Sequence, residues 1–188
     1  MLIIFLSVVA GVAVFIAVSP KNETPQGASQ SSGLQQSTPA LNVSFTTLSL
    51  LPNPLTISSS SASVDVSIDT KTNKVTAVQL EISYDPKQLT NVNIAAPKSG
   101  GFFDNPIVLL KKIDEKKGLI SFALAISPSQ AAKQGTGNVA TITFTSLITP
   151  VGQTEIKVLP ETLVTAEGVS SSVLKSSTGT TITSPIVN

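Results

Sequence analysis

Histidine, cysteine and tryptophan are missing from this chain, tyrosine occurs once, and only 12% of its residues are charged. Each absence excludes something. Without His or Cys, most of the side chains that carry acid–base, nucleophilic and transition-metal chemistry are gone, which weighs against an enzyme. Without cysteine no disulfide braces the fold, so a domain here must be held by its apolar core alone. A formal net charge of +1 and a pI ≈ 7.9 supply no basic field for nucleic acid or anionic lipid. The charge content falls below the roughly 25% of an average soluble domain, and Ser, Thr, Asn and Gln fill the deficit. Polar but uncharged surfaces of this kind suit secreted β proteins.

What is present begins with an apolar run, LIIFLSVVAGVAVFIAV at residues 2–18, which carries no charge. It is close to the ~20 apolar residues that cross a bilayer as a helix. Segment 1–19 is therefore expected to be one N-terminal transmembrane helix, and two readings are open: an uncleaved anchor or a cleaved signal peptide. No Lys or Arg precedes the run, and Pro20 follows the small residues Ala17 and Ser19, which favours the anchor. The domain that follows is then expected at the cell surface, or secreted if the segment is cleaved. Residues 20–42 are rich in Ser, Gln, Pro and Thr with little to bury, so they read as a disordered tether. A flexible coil of that length spans about 25–30 Å. Asn22-Glu23-Thr24 and Asn42-Val43-Ser44 match the glycosylation sequon, a pattern frequent by chance.

From residue 43 to about 184 the chain is a succession of strand patterns separated by turn signals, with no sustained helical period. The last residues, 185–188, read as a tail. In AVQLEISYDP, Val78, Leu80, Ile82 and Tyr84 fall on one side of an extended chain and Ala77, Gln79, Glu81 and Ser83 on the other. Asp85-Pro86 then breaks the ladder. Strands are expected at 43–51, 61–69, 76–85, 90–96, 106–114, 118–127, 138–147, 154–160 and near 178–184. That spacing suits two facing sheets, each burying one apolar side, so the fold class is all-β: an antiparallel sandwich of nine strands.

Phe122 and Leu124 should face the core, leaving Ser121, Ala123 and Ala125 outward. Lys111 to Gly118 reads as a solvated hairpin tip, and 127–135 as a helical turn or a loop. Asp65, Asp69, Glu81, Asp85, Asp104, Asp114 and Glu115 are scattered and show no acid–base pair in the sequence. Oxygen ligands from Asp104 and Asn105, or from Asp65 and Asp69, are the candidates for calcium, but without a compact D-x-D-x-D-G loop no metal site is expected.

Val78-Gln79-Leu80-Glu81-Ile82-Ser83-Tyr84-Asp85-Pro86-Lys87-Gln88-Leu89, followed by Val92, resembles the signature of the cohesin domain family. Gly118-Leu119-Ile120-Ser121-Phe122-Ala123 is similar to the family's sixth strand, and Gly137-Asn138-Val139-Ala140-Thr141-Ile142-Thr143-Phe144 to a later segment. Thr154-Glu155-Ile156-Lys157-Val158, Leu163-Val164-Thr165 and Glu167-Gly168 follow in family order, so the likeness covers roughly 43–184. The resemblance implies a nine-stranded jelly roll, related to certain carbohydrate-binding modules, that binds a dockerin. It places calcium on the dockerin, so no cofactor is implied for this chain. It also implies a docking face that carries over, by position, to Ala77, Gln79, Glu81, Ser121, Ala123 and Ala125.

The expected function is a non-catalytic, membrane-anchored module that binds a protein partner of dockerin type. A carbohydrate binder and a structural envelope protein are the alternatives. A polysaccharide platform needs exposed aromatic rings, and Phe102-Phe103 is the one pair available in the sequence, although such a pair more often caps a core.

Overall fold

The computed structural model describes residues 44–57, 60–147 and 152–184. The expected membrane helix at 1–19, the tether at 20–42 and the tail at 185–188 lie outside the described residues. Every element among the described residues is a strand. In chain order they are β1 (Thr46–Leu51), β2 (Leu55–Thr56), β3 (Ser61–Asp69), β4 (Val75–Tyr84), β5 (Leu89–Ala95) and β6 (Ile107–Asp114). They continue with β7 (Leu119–Ala125), β8 (Thr136–Ser146), β9 (Gln153–Val158), β10 (Leu163–Ala166), β11 (Leu174–Thr178) and β12 (Thr180–Thr183).

Two sheets form. One has the order β11-β1-β3-β8-β5; the other runs β2-β12-β9-β4-β7-β6, with β10 also paired to β4. The expectation of nine antiparallel strands is corrected in two respects. Twelve strands occur among the described residues, and β1–β11 and β2–β12 are parallel pairs. The additions are short pieces at the chain's two ends and β10, none long enough to display an alternating pattern. The single strand expected near 178–184 is two, β11 and β12, which belong to opposite sheets. Between them Gly179 passes so close to β9 that a Cβ would meet the Ile156 carbonyl oxygen at 2.3 Å. At the other end Pro52 and Pro54, which have no N–H to donate, separate β1 from β2 as the chain crosses the same way.

Alternation decides which side is buried. Val78, Leu80 and Ile82 of β4 and Ile120, Phe122 and Leu124 of β7 are buried from one sheet. They meet Leu48, Leu50, Val64, Val66, Ile68, Ile94 and Ile142 from the other. Burying each such side chain contributes about 1.5–3 kcal/mol, and with no disulfide this is the main stabilising term. The few buried hydroxyls are satisfied: Thr46 accepts from Asn73 at 3.0 Å, Thr70 from the Gly135 N–H at 2.9 Å, and Thr180 donates to the Pro52 carbonyl at 2.7 Å.

The Tyr84-Asp85-Pro86 corner carries the chain from one sheet to the other. Tyr84 is the last inward residue of β4, and the Asp85 side chain accepts the Lys87 N–H at 2.9 Å. The Asp85 carbonyl accepts the Gln88 and Leu89 N–H groups, after which β5 begins in the facing sheet. Segment 127–135, expected as a helical turn or a loop, is a loop closed by a bridge from Lys133 to Val75.

Candidate docking face

The six residues singled out in the sequence lie together on the outer face of the second sheet. β4 and β7 pair antiparallel with Ala77 opposite Ala125, Gln79 opposite Ala123 and Glu81 opposite Ser121. The match of register follows from both strands keeping a strict two-residue period. All six are half-buried.

The rows extend onto neighbouring strands that sequence reasoning did not assign to the face. On one side β6 places Ile107 beside Ala125, Leu110 beside Ala123 and Lys112 beside Ser121. On the other, β10 places Thr165 beside Ala77 and Leu163 beside Gln79. Ile107, Leu110 and Leu163 are 43%, 41% and 44% exposed, unusual for large apolar side chains on a folded surface. The four apolar residues Ile107 to Leu110 in succession were the available signal. A strand exposed on both sides over Ile107 to Lys112 breaks alternation, but only the strand order shows that β6 is an edge.

The face therefore has relief. Small side chains floor a trough, with Leu110 and Ile107 along one rim and Leu163 on the other. The rims are three strand spacings apart, about 14 Å, wide enough for an α-helix of about 10–12 Å with its side chains. At one end the trough opens into a depression of ≈ 660 Å³ lined by small and apolar residues such as Ala77, Ala125, Ile126 and Ala131, with Lys74 and Glu167 also on its wall.

Glu81 is the acidic group among the six residues of the floor, and both its side chain and its backbone are held by hydrogen bonds. One carboxylate oxygen accepts the Ser121 hydroxyl at 2.6 Å, and the other accepts the Gln79 side-chain amide at 3.0 Å. Its backbone sits where β9 hands over to β10: β9 pairs with residues 82–84 and β10 with 75–79. In that gap the buried Thr162 hydroxyl accepts the Glu81 N–H at 3.0 Å, and the Leu159 N–H reaches the Glu81 carbonyl at 2.7 Å.

The other candidates are dispersed. The carboxylates of Asp69 and Asp104 are paired with Lys71 and Lys133, and Asp65 accepts the Thr141 hydroxyl at 2.7 Å. The lysine beside it holds the Asp69 carboxyl below its ordinary range, through side-chain and backbone hydrogen bonds. No group of three or more acidic side chains converges among the described residues. Phe102 and Phe103 stack edge to face, 4.8 Å between ring centres, and are buried at 5% and 4% exposure. They cap the core and give no sugar platform.

Among the described residues, then, a two-sheet sandwich presents one open face between apolar rims. Its family follows from comparison: the chain matches the cohesin domain model over residues 58–183 and belongs to the cohesin domain family. Solved structures agree in fold. The solution structure of CaCohA2 from Clostridium acetobutylicum is 20% identical, with a TM-score of 0.59 over 74% of this chain and 90% of that one. The third ScaC cohesin of Acetivibrio cellulolyticus, solved in complex with the ScaB dockerin, is 15% identical with a TM-score of 0.59 over 76% and 100%. A non-cellulosomal cohesin from the archaeon Archaeoglobus fulgidus is 16% identical with a TM-score of 0.55 over 74% and 90%. No curated protein sequence matches the chain.

Proposed function

We propose that this chain is a non-catalytic recognition module that binds a dockerin-type protein partner through the β10-β4-β7-β6 face. Residues 2–18 anchor it in the membrane and residues 20–42 hold it away from the lipid, outside the cell. The observation that carries this reading is the in-register meeting of Ala77, Gln79, Glu81, Ser121, Ala123 and Ala125 between apolar rims. Membership of a family in which a relative is seen holding a dockerin supplies the class of partner. A specific interface buries about 800 Å² per partner, which takes this face together with its rims and the adjoining loop.

The test is affinity capture with the full chain in detergent against extracts of its own organism, with and without calcium chelation, alongside an Ala123→Arg variant. The expected partner is retained by the wild type only with calcium and lost by the variant. A partner held equally by both would move the site elsewhere, and one indifferent to chelation would not be a dockerin. Protease added to intact cells should remove residues 44–184 if the domain stands outside; protection would overturn the orientation.

Self-association through the exposed β6 edge is the second reading, favoured by the apolar run Ile107 to Leu110. Sedimentation over a concentration series decides it, and a monomer throughout would end it.

A further inference from the structure

We infer that the partner seated in the trough presents an arginine or lysine side chain to Glu81, and that this carboxylate sets the charge accepted at that point of the face. The inference rests on the docking reading above and adds the chemistry of the partner. Glu81 is half-buried before any partner arrives, and its neighbours on the outer face of β4 and β7, Gln79, Ser83, Ser121 and Ala123, are uncharged.

Among the described residues no lysine forms an ion pair with it. The ion pairs among the described residues are Lys71–Asp69, Lys133–Asp104 and Lys157–Glu155. Lys157, opposite the neighbouring Ser83, is thus engaged by Glu155 at 3.0 Å. Lys112 lies beyond Ser121, two strand spacings or about 10 Å across the sheet. Two neutral donors fix the carboxylate in one orientation, one on each oxygen, and each oxygen keeps further acceptor capacity.

A partner that covers the trough strips water from this group. Removing water from a carboxylate without replacing it by a cation or strong donors is strongly unfavourable. A guanidinium or ammonium group restores the interaction, the more so because the acceptor is already held in place. An acidic or purely apolar residue at that point is rejected, so Glu81 acts by exclusion as well as by attraction.

The test uses a phage-displayed library of two-helix hairpins, randomised on one helix face and selected on the full chain in detergent. Binders are then measured on Ala123→Arg, Glu81→Gln and Glu81→Lys chains whose thermal midpoints match the wild type. The expected binders are lost on Ala123→Arg, are enriched for Arg or Lys at one position, and weaken about tenfold or more on Glu81→Gln. Reselection on Glu81→Lys should bring Asp or Glu to the same position. Binders that need Ala123 but hold within twofold on Glu81→Gln, with no basic enrichment, would overturn the inference and leave the face standing. Binders indifferent to Ala123→Arg would remove the face itself, and this inference with it.

Discussion

At the β6–β7 hairpin Gly118 has φ +65, and a Cβ there would lie 2.0 Å from the Tyr84 carbonyl oxygen and 2.8 Å from Pro86 Cδ. The hairpin tip and the Tyr84-Asp85-Pro86 corner therefore need the same missing side chain. Gly118→Ala combines left-handed strain of about 1–2 kcal/mol with a collision against backbone. We expect a loss of more than about 2 kcal/mol in urea unfolding; a neutral result would mean the corner yields. Tyr84 beside it is held above its ordinary value of 10.0, first by burial and then by the charges of Glu115 and Asp114. Its contribution to stability is complete below pH 10 and is lost as pH rises through the folded value, because the unfolded chain ionises first. With one tyrosine and no tryptophan, near-ultraviolet absorbance reads this group alone. The folded protein should titrate above the urea-unfolded chain.

Among the elements, β6 is built differently from its neighbour β7. Ile107, Val108, Leu109 and Leu110 are 43%, 47%, 64% and 41% exposed, while Ile120, Phe122 and Leu124 of β7 are at most 1% exposed. Leu109 sits in a register shift between Val108 and Leu110. Such a bulge, with Lys111 and Lys112 following, blunts an edge against uncontrolled pairing. Lys111 also reaches across to Asn93 of β5 at 2.7 Å, bridging the open side of the sandwich. Leu109→Lys should leave stability within about 0.5 kcal/mol, whereas Leu124→Ala should cost about 2–5 kcal/mol. Parallel urea titrations of the two variants check both; equal losses would place β6 in the core.

At the scale of the whole sandwich, the two sheets are joined at both ends by crossings of the chain, so the candidate face rides on a packed core instead of on loops. An arginine at Ala123 projects into the trough between Gln79 and Leu110. Ala123→Arg is expected to keep the wild-type thermal midpoint within a few degrees while losing the partner. A variant that unfolds instead would show that the floor of the trough is structural.

The strands were legible wherever they were long and half-buried. β3 was bounded without error, and β4, β5 and β7 were found within a residue or two at each end. The inward sets of β4 and β7 could be read directly, because one wet face and one dry face impose a period of two on the residues themselves. The outward six were legible for the same reason, although the resemblance was needed to single them out. The short closing pieces β2, β10 and β11 could not be read, because two to five residues carry no period. Tertiary structure alone decided that β6 is an edge, that Leu163 and Leu110 rim one trough, and that no lysine among the described residues pairs with Glu81 there. Alternation records which side of a strand is dry, but which strands become neighbours depends on how the sheets close.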